Sequence, residues 1–283
     1  MAQIAEVRKS PIAGTWYLGN PKQLTRQIDE FLEKADSIEL NGNLIALMAP
    51  HAGHRYSGAT AGYVYRMIRG RSYDLVIILS PSHGFFPAPL ITSAHAYYET
   101  PLGKVPVHEQ ALALFEQGVK KLKLDLLKAE YDEEHSIEIH LPFLQHTLQG
   151  EFSLLPIMMR SQDLVTVQGV AKSLLPVTKE FNSILIASSD LSHFYPLDVA
   201  NVMDKHMLDM VEKFSPEGVL NAEADGSGSA CGSGPIAAVL IAARQLGADR
   251  AKVVHYSTSA DATGDPSSVV GYGAAVIYAS QAK

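Results

Sequence analysis

Asn43–Gly53 reads NLIALMAPHAG and Asp74–Gly84 reads DLVIILSPSHG. In each, a short aliphatic run passes through a proline into a histidine and then a glycine. A third run, Ser183–His193 (SILIASSDLSH), ends on serines, an aspartate and another histidine. Continuous apolar runs of this length, bounded by turn residues, read as strands buried on both faces, as in a parallel sheet. Proline ends each of the first two strands, and a following glycine permits a tight turn. In open α/β sheets ligands bind beyond the carboxyl ends of the strands, so three histidines placed there converge on one edge.

Working outward, Phe152–Ile157 is a further strand of the same kind, Ser268–Ala279 a long final strand, and Val253–Ser257 its neighbour. Amphipathic spacing places helices over Ala59–Arg69, Pro21–Lys34, Val107–Gly118, Glu134–Leu148, Asp163–Leu175, Pro196–Phe214 and Pro235–Leu246. Strands alternating with helices imply an α/β fold: a mostly parallel central sheet flanked by helices. No long repeat, low-complexity segment or charge-rich linker divides the chain, so one domain over residues 1–283 is expected.

Composition narrows the function classes. With 23 Lys+Arg against 30 Asp+Glu and a net charge of −7, the chain lacks the basic footprint of a nucleic-acid binder. One cysteine among 283 residues cannot form an internal disulfide. Met1–Ser10 has no apolar leader core or lipidation signal. The longest uncharged stretch, between Asp74 and Glu99, carries three prolines and two histidines and does not read as a membrane span. A cytoplasmic protein without nucleic-acid or membrane partners is the expectation, and one thiol among 11 histidines is its distinctive feature.

Imidazole suits zinc, copper, iron and nickel, and two histidines with one anionic ligand is a common plan for a reactive metal. His51 and His83 share matching contexts. Cys231, in the flexible glycine-rich turn GSGSACGSGP before an apolar helix, supplies a third donor, since a helix N-terminus favours thiolate. The alternative for Cys231 is a small buried hydrophobe. His193 is a candidate general acid or base, with Asp190 either orienting it or capping a helix. The run Asp132–His140 (DEEHSIEIH) lacks the H-E-x-x-H spacing; its acidic residues read as helix caps, and His135, Glu138 and His140 as residues near the pocket. His54 is close enough in sequence to line the same pocket. Trp16, Tyr17 and Phe85 could face a substrate or peptide, or pack in the core.

Val7–Tyr17 (VRKSPIAGTWY), Ala49–Gly53 (APHAG), Pro81–His83 (PSH), Asp132–Phe143 (DEEHSIEIHLPF), Ser188–His193 (SSDLSH) and Ala230–Pro235 (ACGSGP) stand in the order found in the Memo family, and extend over nearly the whole chain. The chain thus resembles that family, the B component of the AmmeMemoRadiSam group, named for a role in cell motility signalling. The resemblance implies a fold similar to class III extradiol dioxygenases. It implies metal-ligand positions at His51, His83 and Cys231, and an acid/base position at His193. It also implies AMMECR-type and radical SAM proteins as partners. Extradiol dioxygenases hold Fe(II) with two histidines and a glutamate, and here Cys231 takes the third place. A softer thiolate widens the choice to iron or copper, with zinc as a third option. Many relatives carry an aromatic residue where this chain has His54, which could add a fourth ligand or reshape the pocket.

These features suggest a metal-dependent redox enzyme acting on a small molecule or peptide, with His193 moving a proton. Metal-assisted hydrolysis is one alternative. A second is a metal-free nucleophile, with Cys231 attacking, His193 as base and Asp190 orienting it. A third is a non-catalytic peptide- or metal-binding module.

Overall fold

The computed structural model describes residues 6–36 and 38–281. Residues 1–5, half of the segment read for a leader, and the two C-terminal residues of the expected domain lie outside the described residues. In chain order the first elements are β1 (Val7–Arg8), α1 (Pro21–Lys34), β2 (Gly42–Ala49), α2 (His54–Arg66), β3 (Leu75–Pro81), β4 (Leu90–Ser93), β5 (Tyr97–Thr100) and β6 (Gly103–Pro106). Then come α3 (Glu109–Lys121), β7 (Leu126–Ala129), α4 (His135–Glu138), α5 (Leu141–Thr147), β8 (Ser153–Met159), α6 (Leu164–Glu180) and β9 (Ser183–Ser188). The last elements are β10 (His193–Tyr195), α7 (Leu197–Glu212), α8 (Pro216–Asp225), α9 (Ser233–Gln245), β11 (Arg250–Thr258), α10 (Ala260–Thr263) and β12 (Val269–Ser280).

Among the described residues nine strands form one sheet, in the order β10-β12-β2-β9-β3-β8-β4-β7, with β11 also on β12. Its centre, β2-β9-β3-β8, is parallel. Antiparallel pairings of β12 with β2 and of β4 with β8 flank that centre, so the sheet as a whole is mixed. A small sheet, β1-β5-β6, lies apart. Every residue of β3 is buried, because successive side chains alternate between two helical layers. Leu75, Ile77 and Leu79 join the core under α3, α6, α7 and α9. Val76 and Ile78 join the core under α1, α2 and α5. Among the described residues, no helix is long and apolar enough to cross a membrane.

Three boundaries depart from expectation for local reasons. Helix α2 starts at His54 rather than Ala59, because its first N–H donates to the Trp16 carbonyl at 2.8 Å, a partner distant in sequence. The helix expected over Glu134–Leu148 is broken into α4 and α5, with Pro142 in the first turn of α5, where its missing N–H costs no helical hydrogen bond. Helix α6 continues past Leu175 and through Pro176, since Val170, Leu174 and Val177 keep its apolar face in the core. Helix α8 was not anticipated, although Ser215-Pro216 is a cap followed by a first-turn proline.

Candidate metal centre

Strands β2, β9 and β3 are adjacent and parallel, so the loops after them share one edge of the sheet. His51 follows β2, Ser189 and Asp190 follow β9, and His83 follows β3. Cys231 arrives from the turn that opens α9. One donor atom each of His51, His83 and Cys231 lies within 4.8 Å of the others. His51 Nε2 and Cys231 Sγ are 3.2 Å apart, and the rings of His51 and His83 meet edge-on at 5.4 Å between centroids. His51 is buried and Cys231 half-buried, while His83 is open to solvent, so the centre is closed on one side and reachable on the other.

The surrounding residues hold these donors in place. Glu134 accepts from the His83 backbone N–H at 2.6 Å and from its ring Nδ1 at 2.8 Å, leaving Nε2 of His83 toward the centre. Burial would raise the Glu134 pKa, but the hydrogen bond and charge of His83 outweigh it and hold it at about 2. The same hydrogen bond raises His83 against its own desolvation. Glu134 also caps α4 by accepting from Ser136 N–H at 3.1 Å, so the capping expected of this acidic run is joined by a second task. His83, Glu134 and His135 form a second compact donor group. In it the carboxylate already accepts from the imidazole that faces the first group.

The glycine-rich turn before α9 is not a loose segment. Gly232 N–H donates to Ser189 Oγ at 2.9 Å, Gly234 N–H to Gln162 Oε1 at 2.6 Å, and Gln162 Nε2 to the Cys231 carbonyl at 2.8 Å. A Cβ on Gly232 would stand 2.5 Å from the Ser188 carbonyl oxygen, so the close approach of this turn to β9 requires glycine. Its position before a helix does not make Cys231 acidic. Desolvation, reinforced by the Asp190 carboxylate, pushes the thiol well above its ordinary pKa.

Asp190 does not orient His193. Its Oδ1 accepts from the backbone N–H groups of His51 at 2.7 Å and Ala52 at 3.2 Å, clamping the first histidine loop. Burial pushes its pKa up to about 7 against those two bonds. His193 instead begins β10, half-buried, with its pKa lowered by desolvation. The carboxylate beneath its loop is Asp204 of α7, which accepts from Ser192 N–H at 2.8 Å and Tyr256 O–H at 2.8 Å. Gly271 leaves the room this carboxylate occupies. Phe194, next to His193, is exposed with a left-handed backbone at φ 65°, a strained conformation that clusters at functional sites.

The remaining candidates divide between pocket and core. His135 stacks on His83 at 4.6 Å and lies tilted against Trp16 at 4.3 Å, and burial lowers its pKa to about 4. His140 is buried behind Ser188, 2.9 Å from its hydroxyl. His54 is turned away from the centre into Phe31, Tyr17 and Phe143, with Nε2 donating to the Ile139 carbonyl at 3.2 Å. Glu138 is fully buried and bound to Arg8, Ser10 and Tyr17, so Glu138 and Tyr17 support the fold rather than face a ligand. Phe85 is almost fully exposed, near the Arg160 guanidinium. A cavity of about 500 Å³ is lined by Trp16, Ala52, Arg55, Tyr56, Phe194 and Tyr272, among others. Another of about 450 Å³ opens on His83, Glu134 and His135. Glu134, Ser188 and Asp204 were missed as site residues. Asp204 alone carried a usable signal: it stands among Ala200, Leu208 and Val211 on the buried face of α7.

The family described as "Memo-like protein" matches residues 8–276. A "MEMO1 family protein" of Nitrosopumilus maritimus is 34% identical over 272 residues, covering 95% of this chain and 98% of the relative. A second, from Methanocaldococcus jannaschii, is 35% identical over 292 residues, covering 96% and 99%. A third, from Methanopyrus kandleri, is 31% identical over 279 residues, covering 95% and 98%. With a family match over nearly its whole length and relatives of this identity spanned end to end, the chain belongs to the Memo family.

Proposed function

We propose that the protein is a metal-dependent redox enzyme whose ion is held by His51, His83 and Cys231. The observation that carries this reading is the compact group of two imidazoles and one thiol, with Glu134 turning the Nδ1 side of His83 away from it. Two nitrogens and a soft sulfur suit iron or copper, and also zinc. Such an ion would supply Lewis acidity and, for iron or copper, electron transfer at positions left open by three protein ligands.

The chain's own residues supply the rest. Asp190 fixes the His51 loop and Glu134 the His83 ring. We assign the proton-carrying role to His193, half-buried at the start of β10 with its pKa lowered by desolvation. The cleft beside Ala52, walled by Trp16, Tyr56 and Phe194, admits a small molecule or a peptide side chain. A metal-free thiol nucleophile is disfavoured by the raised Cys231 pKa.

The test is elemental analysis of tag-free protein purified anaerobically with iron, copper and zinc each supplied. Near-stoichiometric metal is expected, lost in His51→Ala and in Cys231→Ala. Metal-free wild-type protein under all three conditions would overturn the reading. Oxygen consumption or substrate turnover that follows iron or copper loading, and falls in His193→Gln with metal retained, is expected of the redox activity. Equal activity with zinc would turn the reading to hydrolysis.

A further inference from the structure

Ser188 Oγ has three polar neighbours and, being a hydroxyl, one proton and two lone pairs to share among them. The Ser136 carbonyl oxygen lies 2.6 Å away, His51 Nδ1 2.8 Å and His140 Nε2 2.9 Å. The carbonyl can only accept. At 2.6 Å, any other direction for the serine proton would set two oxygen lone pairs against each other, so Ser188 donates to Ser136. Both ring nitrogens facing Ser188 must therefore donate to it. His51 then carries its proton on Nδ1 and His140 carries its proton on Nε2. The far side of His140 agrees: its Nδ1 lies 2.8 Å from Tyr65 Oη, whose O–H donates to it. Ser188, His140 and Tyr65 are all buried, so water does not compete for these bonds. The network is closed, and no proton in it is free to choose another partner.

We propose that Ser188, backed by His140 and Tyr65, is the positioning device that decides which nitrogen His51 presents to the metal centre. With Nδ1–H committed to Ser188, the unprotonated Nε2 is the atom 3.2 Å from Cys231 Sγ. Were the Ser188 hydroxyl to turn from Ser136 and donate its hydrogen bond to His51 Nδ1, that nitrogen would be the acceptor and His51 would carry its proton on Nε2, where a ligand lone pair is needed. Glu134 does the same for His83 by a carboxylate. For His51 the task falls to a neutral hydroxyl, which adds no charge to the closed side of the site. The proposal rests on the metal-centre reading for its purpose, but the tautomers themselves are a property of the metal-free protein.

The experiment is two-bond nitrogen–proton NMR of the metal-free protein labelled at histidine, with Zn(II) affinity measured alongside by chelator competition. Wild-type protein is expected to show opposite tautomers, Nδ1–H for His51 and Nε2–H for His140. Ser188→Ala is expected to mix the His51 signature and lower Zn(II) affinity about 10–100-fold with all three ligands in place. Ser188→Thr, which restores a hydroxyl, is expected to recover both. Nε2–H at His51 in wild-type protein, or a Ser188→Ala variant unchanged in tautomer and affinity, would overturn the proposal. If Ser188→Ala fails to fold, Tyr65→Phe reads the same device: with Ser188 still donating to Ser136, Nδ1–H at His51 and Nε2–H at His140 should persist, and loss of Nδ1–H at His51 would overturn the proposal. Opposite tautomers in a wild-type protein that takes up no metal would support the device and remove the metal-centre reading.

Discussion

Glu134 grips His83 at two points, one carboxylate oxygen on the backbone N–H at 2.6 Å and the other on ring Nδ1 at 2.8 Å. The loop and the ring are thus fixed by one side chain that comes from a different part of the chain. Glu134→Gln keeps the size but offers only one acceptor and no charge. We expect it to weaken Zn(II) binding about 10–100-fold, as loss of a carboxylate behind a ligating histidine commonly does. Titration of variant and wild type against a competing chelator checks this, and equal affinities would show that Glu134 only caps α4.

Asp190 serves the His51 loop as a backbone acceptor, with Oδ1 on two N–H groups and Oδ2 3.9 Å from His51 Nε2. Asp190→Asn retains an oxygen for the His51 and Ala52 N–H groups, and should keep metal affinity close to wild type. Asp190→Ala leaves two backbone donors without that partner, which costs about 1–3 kcal/mol for each one kept from water. Denaturant melts and metal titrations of the pair separate the cases. If the asparagine variant is as impaired as the alanine one, the carboxylate charge is what matters.

Much of this candidate site was legible because its donor residues announce themselves by placement. Proline, histidine and glycine after an apolar run mark a strand end, and β2 and β3 stand on either side of β9 in the parallel centre of the mixed sheet. What could not be read were contacts made across long sequence separations. Glu134 looks like any first-turn acid until its carboxylate meets His83, 51 residues away. Ser188 is one small polar residue at the end of a strand, and only the approach of His51 and His140 gives it a task. His54 misled because sequence proximity to His51 does not fix direction. Helix α2 begins at His54 itself, and its first turn aims this ring into the aromatic core. The dipole argument for Cys231 is opposed by desolvation and by the Asp190 carboxylate, both of which raise the thiol's pKa.

His54 makes the core sensitive to acid. Burial lowers its pKa to about 4, with the bond to the Ile139 carbonyl opposing, and its Nδ1 has no partner for a second proton. The unfolded chain takes up that proton near the ordinary value of 6.5, so between 6.5 and about 4 it binds more protons than the folded chain. Stability from this residue is therefore complete above 6.5 and declines as pH falls toward 4. His54→Gln keeps a donor for Ile139 and does not titrate. Relative to that variant, wild type should lose roughly 2 kcal/mol between pH 7 and pH 5, at about 1.4 kcal/mol per pH unit below 6.5. Urea denaturation of both proteins at the two pH values checks the sign, and a constant difference between them would show that His54 is protonated within the fold.

Cys231 should be a slow thiol until a cation arrives. Reaction with a neutral alkylating agent needs thiolate, and desolvation together with the Asp190 carboxylate holds the proton on sulfur. His51 Nε2 at 3.2 Å is an acceptor for that proton, and Ser189 Oγ at 3.9 Å adds only a weak contact. In metal-free protein at pH 7.5 we expect iodoacetamide to modify Cys231 more slowly than it modifies a free cysteine peptide, and faster after urea unfolding. Rapid modification of the folded, chelator-treated protein would instead mean that the thiolate exists without a metal, and would return Cys231 to the role of nucleophile. Slow modification in the folded state, abolished altogether by stoichiometric Zn(II) and unaffected by Mg(II), is the pattern expected of a sulfur whose partner is a soft cation.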